Sequence, residues 1–346
     1  MIMRFKVVHT LVDSGMTYGE DHLRPLGAGM VTGRWVGEDD LIANAHDADA
    51  VICVSPAQNW TPRVLTALSR CRIVATLSIG YDRISLDTAT KMAIVVTNVP
   101  YYCIDEVSDQ AISFMMALGR RLFQIDRAVK GKQAHLTPGN RSGLAEIAYP
   151  VFRLRGQTLG IIGFGKIGTA VALKARGLGL RVIAYDPYVF GAVMLSRGVE
   201  PASLEALLRQ SDFISINATL TDETKGMIGS EQFKKMKPTC YLINTARGGI
   251  IQQASLLEAL ERGHIAGAGL DVTANEPIPA DDPILKLPNV ILTGHSAWYS
   301  TTSDSPSEYW HKPMSQVVMA LKGEWPTYAV NPEVKQKWLE KWSEKP

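Results

Sequence analysis

Cysteine is scarce in this chain: Cys53, Cys71, Cys103 and Cys240 are the only four in 346 residues, and none falls in a CxxC pair or at metal-finger spacing. That scatter argues against a disulfide framework and a zinc ribbon. Three of the four lie in or beside apolar runs, so buried free thiols in a reducing cytoplasm are expected. An excess of charge of either sign is also missing. The net charge is +2, which gives no electrostatic case for nucleic acid or a membrane surface. Long hydrophobic runs are missing too. The opening MIMRFKVVHT has one short apolar stretch without the core and cleavage site of a signal peptide, and no later segment is long enough to span a bilayer. A cytoplasmic location is therefore expected. The basic cluster from Lys335 to Lys345 alternates with Glu and Trp and is read as a solvated tail. No metal site is indicated.

The composition is that of an ordered chain, 46% hydrophobic and 20% charged, and its length favours two domains over one. Short β-branched runs alternate with helical patterns from end to end. FKVVH, AVICV, RIVATL and AIVVTN are separated by helix-like stretches at Asp39 to His46 and Arg63 to Ser69. That rhythm predicts parallel strands with crossover helices. Apolar residues three or four apart, from Ile104 through Met115 to Val129, then trace the stripe of one long core helix. The polar GKQAHLTPGNRSG after it reads as a loop or arm. The alternation restarts at TLGIIG and continues through RVIAY, FISIN, CYLIN, GAGLD and VILT, a second α/β unit. A helix is expected near Ser305 to Leu321, started by Pro306 and kinked or broken by Pro313.

GIIGFGKIG sets Gly163, Gly165 and Gly168 as GxGxxG directly after a predicted strand and at the start of a predicted helix. Gly163 permits a tight turn, Gly165 lets backbone approach a pyrophosphate, and Gly168 lets the helix pack closely on the strand. The helix N-terminus offers free N–H groups to the anion. Alone, the motif fits a plain turn as well. The next strand, however, ends at Asp186, 18 positions after Gly168. A carboxylate there accepts hydrogen bonds from ribose hydroxyls and repels the extra phosphate of NADP, so NAD(H) is the expected cofactor.

Three further strands end at charged residues. NTARGG places Arg247 just beyond one strand. GLDVTANEP ends another at Asp271, with Glu276 in the loop, and VILTGH ends a third at His295. Ligands of open parallel sheets bind at the carboxyl ends of strands, so the shared placement suggests one site. Singly, Arg247 fits a surface guanidinium, Glu276 a turn carboxylate and His295 a packed polar residue. Together they suit reduction of a 2-keto acid. Arginine holds a carboxylate in a planar fork. Histidine supplies the proton for the developing alkoxide, and a neighbouring carboxylate orients it and favours the imidazolium.

These motifs as an ordered set resemble the D-isomer-specific 2-hydroxyacid dehydrogenase family over nearly the whole chain, most densely from Arg153 to Trp298. Within it, NVPYYCIDEVSDQA, RLRGQTLG, YDPYV and HSAWYS look most like the C-terminal-binding-protein branch, which includes corepressors as well as dehydrogenases. The resemblance implies Arg247 for substrate binding, His295 as acid/base and Glu276 as its partner. It implies that SIGYD is a carboxylate loop, with the N–H groups of Ile79 and Gly80 facing substrate. Trp298 would line the substrate pocket, or simply pack at the domain junction. The implied cofactor set is Gly163, Gly165, Lys166, Ile167, Gly168, Asp186, Asn217, Thr224, Thr245, Ala246, Arg247, Asp271, His295 and Ala297. A homodimer is implied as well.

Some positions depart from the family. Ile104 stands where many relatives have threonine, and Thr219 and Gly294 where they usually have proline. The fold expected is α/β, two doubly wound Rossmann-like domains with the active site in the cleft between them. Residues 1–103 and 298–346 would form the substrate domain and residues 104–297 the NAD domain. A chain that leaves one domain and returns crosses two connections, which could hinge. The rival expectation is an NAD(H)-sensing, corepressor-like scaffold with little turnover. No nucleic-acid or membrane partner is expected beside the small 2-hydroxy or 2-keto acid.

Overall fold

The unbroken apolar runs become parallel strands covered on both faces, the burial that such runs require. The structure, a computed structural model, describes residues 4–11, 19–131, 141–148, 150–301 and 305–343. The chain divides into two compact units, Met1–Tyr102 with Ser300–Pro346, and Cys103–Tyr299.

The first unit carries five parallel strands in the order β2-β1-β3-β4-β5: β1 Phe5–His9, β2 Ala28–Thr32, β3 Ala50–Cys53, β4 Ile73–Thr76 and β5 Val95–Thr97. Four of these match the sequence expectation. β2 was not anticipated, because AGMVT between glycines has little β-branched content, and its residues are only half-buried at the sheet edge. The other edge is closed by the end of the chain. Val330 N donates to Val96 O at 2.9 Å, and the fully buried Asn331 accepts from Val96 N at 2.8 Å and donates to Ile94 O at 3.0 Å. These bonds satisfy backbone groups that an open edge leaves unpaired.

Two expectations for the end of the chain are corrected. Lys335–Trp342 is a helix, not a solvated tail. Trp338 is fully buried and donates to Arg72 O at 2.8 Å, while Trp342 donates to Ala93 O at 3.0 Å. The tryptophans bury one face of the helix and the lysines keep the other in water. The Ser305–Leu321 helix also runs through Pro313 unbroken. Met314, Val317, Ala320 and Leu321 on it are buried against β-strand residues such as Ile52 and Ala75, and this packing offsets the hydrogen bond that proline removes.

The second unit holds seven parallel strands in the order β12-β11-β10-β9-β6-β7-β8. They are β6 Thr158–Ile162, β7 Arg181–Tyr185, β8 Glu200–Pro201, β9 Phe213–Ile216, β10 Tyr241–Asn244, β11 Gly267–Leu270 and β12 Val290–Leu292. All but the two-residue β8 match the sequence expectation. β6, β9, β10 and β11 are buried at every position.

The long helix expected from residue 104 to 129 is two helices, Ile104–Gly119 and Leu122–Lys130. Arg121 separates them with φ +53°, a left-handed conformation that ends a helix. The first buries Met115 and Leu118 against the sheet, as predicted, together with Phe114. The second leaves Leu122 53% and Val129 51% exposed, so the apolar stripe extends past the core it was assigned to. Of the expected arm, residues 132–140 lie outside the described set, and Arg141–Ala148 is helical. No helix among the described residues is long and apolar enough to cross a membrane.

Candidate active site

The glycine-rich turn after β6 has the conformation its sequence demands. Gly163 has φ +88°, and a Cβ there would lie 2.6 Å from Ala218 N. Only glycine avoids both penalties. A Cβ on Gly168 would meet Gly163 O at 2.2 Å, so this glycine lets the helix start pack on the turn itself. At Gly165 a Cβ would meet nothing within 4 Å. Gly165 is the extended N-cap of the Lys166–Gly177 helix and makes no side-chain cap, so the helix start opens on free space. Lys166 is exposed there and Ile167 half-buried.

Asp186, just beyond β7, is joined to that turn. Its Oδ2 accepts from Phe164 N at 2.8 Å and its Oδ1 from Tyr188 N at 2.9 Å. The carboxylate is thus a turn-former and also fixed beside the glycine-rich loop; each oxygen keeps a lone pair for a further donor.

Beyond β9 and β10 stand two buried polar atoms, Asn217 Oδ1 and Thr245 Oγ1, with no hydrogen-bond partner among the described residues. A buried acceptor or hydroxyl left unpaired costs free energy that a bound polar group relieves. Asn217 is held from its other side, its amide nitrogen donating to Ser215 O at 3.1 Å. Thr224 is locked in a turn, its hydroxyl donating to Thr219 O at 2.6 Å. An open helix N-terminus, a fixed carboxylate and two orphaned polar atoms along consecutive strand ends fit a dinucleotide.

The charged residues after β10, β11 and β12 converge. His295 Nδ1 lies 2.8 Å from Glu276 Oε2, the two side chains being 28% and 27% exposed. Burial pushes the pKa of Glu276 up, but the His295 hydrogen bond and charge, the Thr273 amide and the nearby Arg247 outweigh it. The carboxyl is held below its ordinary value. Arg247 donates to Ala246 O at 2.8 Å and acts on Glu276 through its charge. The Ala246 amide is itself fixed by Asn244 Oδ1 at 3.0 Å. A Cβ on Gly248 would sit 1.9 Å from Thr273 O, so the chain after Arg247 presses directly on the loop that carries Glu276. The paired glycines after Arg247 were the sequence signal of that approach.

Asp271 has a task the sequence did not reveal. Its carboxylate, 3% exposed, accepts from Thr293 Oγ1 at 2.6 Å, Ser296 N at 2.9 Å and Ala297 N at 3.2 Å. Its carbonyl accepts from His295 N at 2.6 Å. The carboxylate and the carbonyl of the residue both shape the histidine loop, and Ala297 is buried in that loop. Gly294 at φ +61° and His295 at φ +60° are successive left-handed residues, which accounts for one departure: proline, fixed near −65°, does not fit this path at position 294. Trp298 is 37% exposed and meets the Tyr299 ring edge-on at 5.8 Å.

In the first unit, the turn after β4 holds its carbonyls inward. Asn98 donates to Ile79 O and Ser78 Oγ to Gly80 O, both at 2.7 Å. No group of three or more His, Cys, Asp or Glu among the described residues has the arrangement of a metal site.

This arrangement, a glycine-rich dinucleotide turn followed by an Arg–Glu–His cluster on one parallel sheet, defines a nicotinamide-dependent dehydrogenase fold. The family described as "D-isomer specific 2-hydroxyacid dehydrogenase, NAD binding domain" matches residues 112–297. A glyoxylate reductase of Korarchaeum cryptofilum is 40% identical over 294 residues, 85% of this chain and 86% of that protein. A D-3-phosphoglycerate dehydrogenase of Mycobacterium leprae is 34% identical over 86% of this chain and 54% of its own length. Among solved structures, D-lactate dehydrogenase from Aquifex aeolicus, complexed with NAD and lactic acid, superposes with a TM-score of 0.77 at 29% identity, covering 96% of this chain and 98% of that one. The chain belongs to the D-isomer-specific 2-hydroxyacid dehydrogenase family, and the NAD-binding-domain match lies within its second unit.

Proposed function

We propose that the protein is an NAD-dependent D-2-hydroxyacid dehydrogenase that interconverts a 2-keto acid and its D-2-hydroxy acid. The observation that carries this is the His295–Glu276 pair at 2.8 Å, with Arg247 close enough to lower the pKa of Glu276, in the same unit as the glycine-rich turn. NAD(H), when bound, supplies the hydride. The free N–H groups at the start of the Lys166–Gly177 helix take the pyrophosphate, Asp186 the ribose hydroxyls, and Asn217 and Thr245 polar groups of the cofactor. Arg247 binds the substrate carboxylate. Because Nδ1 of His295 faces Glu276, the proton passes through Nε2. Reduction needs the imidazolium and oxidation the neutral ring. Trp298 sets the width of the substrate pocket.

Glyoxylate heads the substrates to be tried, since several relatives at 34–40% identity carry that reductase name. The intact Arg247, Glu276 and His295 set favours turnover over an NAD-sensing scaffold. We also propose a homodimer, supported by the exposed Leu122, Phe123 and Val129, and a cytoplasmic location, supported by the four scattered, buried cysteines. The deciding experiment is NADH oxidation against a panel of 2-keto acids, with product chirality determined, for the unmodified protein, Arg247→Ala and His295→Asn. Both variants should bind NADH by fluorescence while turnover falls, by about 10²–10⁴ for His295→Asn. Near-normal reduction of a good keto acid by either variant would overturn its assigned role.

A further inference from the structure

The sheet order β9-β6-β7 places the loops after β7 and β9 on either side of the glycine-rich loop after β6. One side-chain bond joins those two outer loops: the hydroxyl of Tyr188 donates to Glu223 Oε2. The Tyr188 backbone is itself tied to Asp186, and Asp186 to Phe164 in the glycine-rich loop. Glu223, Tyr188, Asp186 and Phe164 thus link three consecutive strand ends, passing from one flank of the loop to the other. Glu223 lies in the segment between β9 and β10, next to the locked Thr224, so its backbone position is fixed. The Glu223 hydrogen bond and charge, with smaller contributions from burial, Tyr185 and Asp186, push the pKa of the Tyr188 phenol up. Arg197, a cation on the same unit, is turned onto Thr169 Oγ1 at 2.6 Å and over the Phe164 ring.

We propose that Tyr188 pins Glu223 across the adenosine end of the dinucleotide crevice, so that Glu223 is a second determinant, beside Asp186, of preference for NAD(H) over NADP(H). This rests on the cofactor assignment above. The adenosine ribose is expected beside Asp186, and the 2′-phosphate of NADP(H) adds negative charge there. A carboxylate held over the same end repels that phosphate. A carboxylate on a freely rotating side chain would swing into solvent, so the phenol's part is positional. The interaction between exposed charges is screened, and salt should weaken it. It follows that removing the Asp186 charge alone leaves part of the discrimination in place.

The test is direct titration of NADH and NADPH by fluorescence, at low and high salt, on the unmodified protein, Glu223→Gln and Tyr188→Phe. Both side chains are exposed, so neither substitution threatens the fold. Glu223→Gln should tighten NADPH about tenfold, the size of one screened like-charge contact, with NADH changed less than about twofold. Tyr188→Phe should move the ratio the same way by less, and salt should narrow the NADH–NADPH gap in the unmodified protein more than in Glu223→Gln. An unchanged NADPH-to-NADH ratio in Glu223→Gln would overturn the proposal, as would equal weakening of both cofactors, which would mean simple loop support. Failure of the unmodified protein to bind NADH would instead overturn the cofactor assignment itself.

Discussion

Replacing Asp271 should dismantle the histidine loop before it disturbs the cofactor. Its buried carboxylate receives one hydroxyl and two amide donors, at 2.6, 2.9 and 3.2 Å. A hydrogen bond to a charged group contributes about 1.5–3 kcal/mol, and a donor left buried without an acceptor costs its desolvation. Ser296 N can turn to water, whereas the buried Ala297 N has less access to it. Asp271→Ala should therefore lower unfolding free energy by about 3–5 kcal/mol, short of the simple sum because neighbouring losses are not additive. Asp271→Asn keeps one carbonyl oxygen and should cost about 1–2 kcal/mol. The same bonds offset the strain of two left-handed residues, Gly294 and His295, which is of order 1–3 kcal/mol for a non-glycine position. Without them the loop relaxes and His295 moves; displacement by an ångström costs about 10²-fold in rate. Urea denaturation, NADH titration and single-turnover reduction of a keto acid would be measured together. The alanine variant should lose stability and hydride-transfer rate by these amounts while NADH affinity changes far less. Unchanged stability, or loss of NADH binding with normal single-turnover rates, would refute this account and return Asp271 to a cofactor role.

Gly168→Ala should abolish tight NADH binding without unfolding the unit, because its Cβ would fall 2.2 Å from Gly163 O and displace the helix start; isothermal titration would show it. Burial lowers the pKa of His9 to about 4 from the ordinary 6.5. The unfolded chain therefore binds the extra proton first as pH falls, so stability present above pH 6.5 is lost between 6.5 and about 4. That loss is worth about 3 kcal/mol at most, and it should be absent from the His9→Gln stability curve in pH-dependent denaturation. Burial pushes the Cys71 thiol up to about 12 and raises Cys53 and Cys240 as well, so the native protein should react with a thiol reagent far more slowly than the urea-unfolded chain.

Both sheets could be read from local pattern, because strands covered on two faces need continuous apolar runs, and TLGII, FISI and YLIN have no other stable use. The glycine-rich turn was legible for a similar reason: positive φ at Gly163 and the close approach at Gly168 admit one residue type. Two of the four edge strands escaped, since β2 and β8 are held by pairing rather than composition. The stripe through Val129 misled because amphipathic spacing records a helix face without saying what covers it. The Trp-bearing end of the chain misled in the opposite sense: its charges masked two indoles that reach Arg72 and Ala93, more than two hundred residues earlier. At the site, sequence determined which groups were present at the strand ends, Arg247, Glu276 and His295 among them. Only tertiary structure decided that Glu276 meets Nδ1 of His295, that the Asp271 carboxylate holds their loop, and that Tyr188 reaches Glu223. Those outcomes depend on loops from different strands meeting in space, and no local propensity encodes that distance.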